Sequence, residues 1–268
     1  MKFLISFLFL SCLVQAKVVV VSDIDDTIKV SNVLDKSSAI ENSNRTDNIF
    51  YGMPELYHAI QQTTGAKLFY LSNAPKGLMS YYHRQLLTQN NFPEGTLLLR
   101  GNVLSKTHKI KSIREIVKNE NPTTLILIGD NGEHDPEVYA QAKKEFPSLK
   151  IHTYIRMAYS QLSEEDQGTV LQQGQIGFVT PIEIALSLSE NSFVTDEQIN
   201  LLEAHFVPFA MNQQPELMTG TLAFPAWQDC RDHSVPDSLL QRQTDLGQHL
   251  LAHILLRCSV AGIDPDIR

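Results

Sequence analysis

Asp23 and Asp25 stand two residues apart in Asp23-Ile24-Asp25-Asp26-Thr27, directly after the β-branched run Lys17-Val18-Val19-Val20-Val21-Ser22. Two acids held that close either take a cation or share a proton, because like charges repel. A hard, oxygen-ligated ion such as Mg²⁺ suits them. With the ion in place, one carboxylate is free to attack an electrophile such as phosphorus. A second acidic cluster, Gly129-Asp130-Asn131-Gly132-Glu133-His134-Asp135, follows another apolar run, Leu125-Ile126-Leu127-Ile128. If both runs are strands of one parallel sheet, Asp130 faces Asp23 and Asp25 at the carboxyl edge, where open α/β sheets bind ligands. Alone, the second cluster reads equally well as an acidic turn. Paired with the first, it completes an oxygen cage.

A third run, Leu68-Phe69-Tyr70-Leu71, ends in Ser72-Asn73-Ala74-Pro75. A hydroxyl and neighbouring N–H groups at such a turn suit a phosphoryl oxygen, although Ser-Asn-x-Pro is also ordinary turn chemistry. Positive charge comes from Thr107-His108-Lys109. A lysine opening the helix before the Asp130 strand can reach the same edge. Three carboxylates and one divalent ion leave a net negative site, so a phosphate dianion needs such a partner. Lys106 and Lys111 are neighbouring alternatives.

The elements that must position these groups alternate. Strands are expected at Lys17–Asp23, Lys67–Ser72, Thr96–Arg100, Thr124–Asp130 and Ile151–Arg156, with helices at Pro54–Gln62, Lys76–Asn90, Thr107–Lys118 and Pro136–Phe146. Such alternation predicts an α/β fold, a Rossmann-like parallel sheet flanked by helices with right-handed crossovers. The polar stretch Val30–Asp47 breaks the pattern and reads as a flap or small cap over the active edge, or as a surface loop. Beyond Arg156, Gln161–Gln175 is helix-compatible, Ile176–Thr180 a further strand, and Pro181–Ser189, Asp196–Phe206 and Leu239–Arg257 helices. The expected organisation is a signal peptide at 1–16, a catalytic domain over 17–190 with a flap or cap insert at about 30–53, and a mostly helical extension over 191–268.

The chain has 268 residues and a formal net charge of -8. That balance argues against nucleic acid as a partner, since phosphate backbones need a Lys/Arg surface. Lys2 precedes a charge-free run from Phe3 to Val14, and Val14-Gln15-Ala16 offers a small-residue cleavage site. This predicts export, to the periplasm or outside of a bacterium, with cleavage before Lys17. The run is too short to span a membrane, and lipidation at Cys12 is the lesser alternative. Cys230 and Cys258 remain in the mature chain. They are either a disulfide, as an oxidising compartment allows, or two buried thiols.

Taken together, an apolar strand ending in Asp-x-Asp-x-Thr, a strand ending in Ser, a helix-borne Lys and a strand ending in Gly-Asp-x₄-Asp resemble the four motifs of the haloacid dehalogenase superfamily. Gly52-Met53-Pro54-Glu55-Leu56-Tyr57, Phe69-Tyr70-Leu71-Ser72, Leu98-Leu99-Arg100, His108-Lys109, the stretch Ile128 through Glu137, and Tyr154-Ile155-Arg156 are similar to the actin-patch-associated phosphatidate phosphatase family. The resemblance implies that Asp23 attacks phosphorus to give an aspartyl-phosphate. Asp25 would protonate the leaving alkoxide and then activate water, and Thr27 would orient that flap. It further implies Mg²⁺ held by Asp23, the Asp25 carbonyl and Asp130, with Asp135 as a further ligand or supporting group. Ser72, Asn73 and Lys109 would hold the phosphoryl oxygens, and Asp26 would be a supporting or surface acid. The expected substrate is a phosphomonoester, with a lipid phosphate and peripheral membrane contact in view. Nucleotides or other small phosphomonoesters, and a non-catalytic phosphate-binding protein, are the alternatives. Other metal-site readings fare worse: an EF-hand loop starting at Asp23 would need Gly at Ile28 and Glu at Leu34.

Overall fold

The computed structural model describes residues 17–101, 107–214, 217, 219–225 and 232–260. The expected signal peptide at 1–16 with Cys12, Lys106, Cys230 and the side chain of Cys258 lie outside the described residues, and with them the question of a disulfide. In chain order the elements are β1 (Val18–Ser22), α1 (Lys36–Ser43), α2 (Met53–Thr64), β2 (Lys67–Pro75), α3 (Lys76–Gln89), β3 (Thr96–Arg100), α4 (His108–Glu120), β4 (Thr124–Asp130), α5 (Asp135–Glu145), β5 (Lys150–Arg156), β6 (Ile176–Phe178), α6 (Pro181–Ser189), α7 (Asp196–Asn212), α8 (Asp237–Leu240) and α9 (Asp245–Val260).

Six strands make one parallel sheet in the order β3-β2-β1-β4-β5-β6. The central strands are apolar throughout because both faces are covered. Along β1, Val18 and Val20 join the core beneath α2, α6 and α7, whereas Val19 and Val21 join the core beneath α4 and α5. Each such side chain contributes about 1.5–3 kcal/mol on burial, so four in a row anchor the strand. The chain first runs outward from β1 through β2 to β3, then returns to β4 on the other side of β1. Their carboxyl ends therefore part at a switch point, which opens a crevice there.

The α/β fold and its parallel sheet are as the alternation predicted. Three local expectations need correction. Gln161–Gln175 is not helical but a run of turns and bends. Its backbone is tied elsewhere: Thr169 donates to the Asn131 carbonyl at 2.6 Å and Gly168 to the Ser160 carbonyl at 2.9 Å. Ser160 and Ser163 hydroxyls also accept from Leu162 and Asp166 N–H groups, which competes with helix formation. Leu239–Arg257 is two helices, α8 and α9. The break carries Arg242, which bonds Glu203, and Thr244, which accepts from Gly247 N–H and donates to Glu203. Helix α7 runs on past Phe206 to Asn212, through Pro208.

The Val30–Asp47 stretch contains α1, started by Asp35, whose carboxylate accepts from Ser38 N–H at 2.7 Å. It is tied to the body by Lys29 Nζ donating to the Ser43 carbonyl and by buried Asn42 and Asn48. Among the described residues no helix is long and apolar enough to cross a membrane.

Candidate active site

Asp23 follows β1 immediately, and its N–H donates to the Ile128 carbonyl of β4 at 2.8 Å. This bond locks the two acid-bearing strand ends in register. The chain then coils tightly: the N–H groups of Thr27, Ile28 and Lys29 all donate to the Ile24 carbonyl. Asp26 sits at the bend with φ 53, a left-handed conformation that Asp tolerates better than most residues. Its carboxylate accepts from the N–H groups of Ser31, Asn32 and Val33 at 2.7–2.8 Å and from the Tyr159 hydroxyl at 2.5 Å. Asp26 is thus not a surface acid but fully buried, the hub that organises the loop. Burial nevertheless pushes its carboxyl above the ordinary value, against those four donors.

The sequence-predicted residues converge on one crevice of about 610 Å³, lined by Asp23, Asp25, Ser72, Asn73, Arg100 and Glu133 among others. Lys109 Nζ lies 2.6 Å from Asp23 Oδ1 and 2.5 Å from Asp135 Oδ1, with Glu133 at 3.9 Å. Asp130 Oδ1 accepts from Gly132 N–H at 2.6 Å, and Asp130 N–H reaches Asp135 Oδ2 at 3.4 Å. One oxygen from each of Asp23, Asp130 and Asp135 lies within 4.8 Å of the others. Gly129 is required for this closeness, since a Cβ there would overlap the Asp135 side chain and come within 2.8 Å of the Tyr139 ring.

Charge explains the electrostatics. Asp23, Asp130 and Asp135 are all buried, against the single ammonium of Lys109. Burial pushes all three carboxyls up, with Lys109 opposing; repulsion from Asp135 and Asp130 adds to it at Asp23, from Asp135 at Asp130, and from Glu133 at Asp135. For Lys109, burial alone would lower the pKa, but Asp135, Asp23 and Glu133 raise it well above the ordinary lysine value. It stays protonated. Three hard oxygen donors with surplus negative charge are the donor set a divalent cation prefers.

Asp25 sits differently. Its Oδ1 accepts from Ser31 Oγ at 2.8 Å and its Oδ2 from Ser72 Oγ at 3.1 Å. His83 Nε2 stands 3.8 Å from the same Oδ2. Burial alone would raise this carboxyl, yet His83, Lys29 and the two hydroxyls hold it below the ordinary value. Thr27 Oγ1 donates to Asp23 Oδ2 at 3.3 Å. Asn73 turns to Glu133, donating to Oε2 at 3.0 Å.

Several groups that shape this site escaped the motif reading. Arg156 is fully buried between the Phe50 and Phe178 rings, 4.0 and 4.7 Å from their centroids. Its Nε donates to the Thr27 carbonyl and its Nη1 to the Val179 carbonyl. Asn131 accepts from Ala158 and Tyr159 N–H groups and donates to the Tyr159 carbonyl, clamping the Asp130 turn to the segment after β5. Both Arg156, in Tyr154-Ile155-Arg156, and Asn131, in the stretch after β4, stood within sequence motifs, but without a role.

The family model for the catalytic domain of phosphatidate phosphatase APP1 matches residues 18–157. Phosphatidate phosphatase APP1 of Saccharomyces cerevisiae is 32% identical over 157 residues, covering 54% of this chain and 26% of that protein. An uncharacterized protein of Schizosaccharomyces pombe is 25% identical over 151 residues, covering 51% of this chain and 24% of its own length. The chain thus matches about a quarter of the length of these curated relatives. A chain in the solved Pnkp1/Rnl/Hen1 complex aligns over 51% of this chain and 44% of its own at a TM-score of 0.38 and 18% identity, a likeness too slight to bear on function. The family match spans β1 to β5 and takes in Asp23, Asp25, Ser72, Lys109, Asp130 and Asp135, so the chain belongs to the phosphatidate phosphatase APP1 catalytic-domain family.

Proposed function

We propose that this chain is a phosphatase that hydrolyses phosphomonoesters through an aspartyl-phosphate at Asp23. The observation that carries the reading is a pair of aspartates, two residues apart, opening on one crevice with opposite electrostatic settings. Asp23 stands against Lys109, and Asp25 is held by Ser31 and Ser72. Lys109 opposes the effect of burial at Asp23 and so favours the carboxylate form that a nucleophile needs.

A carboxylate oxygen of Asp23 attacks phosphorus, and the bond from phosphorus to the alcohol oxygen breaks as the new one forms. Asp25 gives its proton to that leaving oxygen. In the free protein Asp25 favours its ionised form. A bound phosphate dianion, and the loss of the Ser72 bond when that hydroxyl turns to the phosphoryl group, both shift it toward the acid. In the second step the Asp25 carboxylate takes a proton from water, whose oxygen attacks phosphorus. Inorganic phosphate leaves and the Asp23 carboxylate is restored. Lys109 and Ser72 hold phosphoryl oxygens, with Asn73 at the rim. Most of the acceleration in such transfers comes from positioning and charge neutralisation.

Asp23, Asp130 and Asp135 are the residues to hold a divalent cation, for which we propose Mg²⁺, with the Asp25 carbonyl as a further ligand by family resemblance. When bound, the ion neutralises charge on the nucleophile and on the phosphoryl oxygens. For substrate we favour a lipid phosphate, because the yeast relative is a phosphatidate phosphatase. The reading includes export by the leader at 1–16.

The test is a screen of purified protein with Mg²⁺ against phosphatidate, lysophosphatidate, nucleotides, sugar phosphates and an aryl phosphate, with EDTA as control. Phosphate release from at least one ester, lost on Asp23→Asn in a folded protein, is the expected result. Release that survives Asp23→Asn contradicts the covalent route. Phosphate binding without turnover of any ester favours a binding protein instead.

A further inference from the structure

His83 lies in the middle of α3, fully buried. Neither of its ring nitrogens has a hydrogen-bond partner among the described residues. Buried polar atoms are seldom left that way without a role. Burial pushes the imidazole down from its ordinary pKa, Asp25 opposes this and Lys29 adds to it. A neutral ring carries one N–H donor and one acceptor.

Nε2 of that ring stands 3.8 Å from Asp25 Oδ2. That is too long for a hydrogen bond, and a shift of about 1 Å would make one. In the substrate-free protein the place is already taken, since Ser72 Oγ donates to the same Oδ2 at 3.1 Å. Ser72 has a single hydroxyl hydrogen. If it turns to a phosphoryl oxygen, as the phosphatase reading requires, Oδ2 loses its donor at the moment Asp25 must act. Lys29, a cation near Asp25, gives one N–H of its Nζ to the Ser43 carbonyl at 2.8 Å.

We propose that His83 is a positioning residue for the general acid and base: its Nε2–H takes over Asp25 Oδ2 when the Ser72 hydroxyl turns to the substrate. With Oδ2 anchored, Oδ1 carries the proton that passes to the leaving oxygen. The Ser31 hydroxyl can donate to or accept from Oδ1, so it keeps its contact in both protonation states. This inference rests on the phosphatase reading and adds a residue from a helix outside the four motifs.

Leaving-group dependence tests it, because an alkyl phosphate needs its leaving oxygen protonated and a nitrophenyl phosphate hardly does. His83→Leu should slow the first turnover, in which the alcohol leaves before water attacks, by roughly 10- to 100-fold on a simple alkyl phosphate, the usual scale for a misplaced reacting group. On nitrophenyl phosphate the loss should stay under about 3-fold, with KM little changed for either ester. His83→Gln, whose amide nitrogen reaches the place of Nε2, should keep most of the alkyl rate. Should His83→Leu fail to fold, His83→Asn replaces it, since its shorter amide cannot reach Oδ2. Equal losses on the two esters, or an undiminished alkyl rate, overturn the role of His83 while leaving the phosphatase reading intact. A wild type that turns over neither these two esters nor any ester of the wider screen overturns both.

Discussion

The crevice has two unlike sides. On one, Asp23, Asp130 and Asp135 crowd around Lys109, with more negative charge than a single ammonium offsets. On the other, Asp25 meets two hydroxyls and an imidazole, with no second carboxylate bonded to it among the described residues. Asp23 and Asp25 come from the same loop and share a chemistry, yet their environments push them in opposite directions, Asp23 up and Asp25 down. Residue type sets what a group can do, and the neighbours decide which half of the reaction it performs. On the proposed mechanism the crowded side would hold a cation, and the other side would move protons.

Breaking each side should therefore cost differently. Asp23→Asn removes the nucleophile and should lower turnover by at least about 10⁴-fold, the scale seen when a covalent nucleophile is lost, measured as phosphate release under saturating substrate. Asp25→Asn keeps the loop but removes proton transfer, which should cost about 10²–10⁴-fold. Its first-turnover rates of alcohol release from alkyl and aryl esters should diverge, whereas those of Asp23→Asn should fall together. Lys109→Met should lower kcat by about 10²–10³-fold, as loss of one charge-stabilising donor does. In the absence of a divalent ion it should also lower Tm, because it leaves three buried carboxylates with nothing to offset them.

The smallest expected effect on chemistry, and a clear one on stability, belongs to Asp26→Ala. It strands three backbone N–H groups and takes one of its partners from the Tyr159 hydroxyl, which should cost about 1–3 kcal/mol in denaturant unfolding. An unchanged unfolding midpoint would mean that the loop after β1 holds its shape without this hub.

How much of this was legible in the sequence follows from how far apart the partners lie. Central parallel strands announce themselves as unbroken apolar runs, and those ending in Asp23, Ser72 and Asp130 were readable for that reason. Lys109 was readable because a helix opening onto the edge gives it one direction to go. Asp26 was not, since its hydroxyl partner Tyr159 is 133 residues away and nothing in Asp25-Asp26-Thr27 tells which acid turns inward. His83 was equally hidden: the helix around it was predicted, but which face meets Asp25 depends on how α3 packs. The turns after β5 were misread because Thr169 answers to Asn131 and Glu133 and not to its sequence neighbours. Local pattern carried the strands and helices; contacts between distant loops set the fine division of labour.

Calorimetric titration of Mg²⁺ tests the two-sided account most directly. It predicts one ion per wild-type chain, retained in Asp25→Asn, whose carbonyl is unchanged, and lost or greatly weakened in Asp130→Asn. Wild type that takes no ion, or Asp130→Asn that takes it as tightly as wild type, would contradict the claim that the crowded carboxylates are there for a cation.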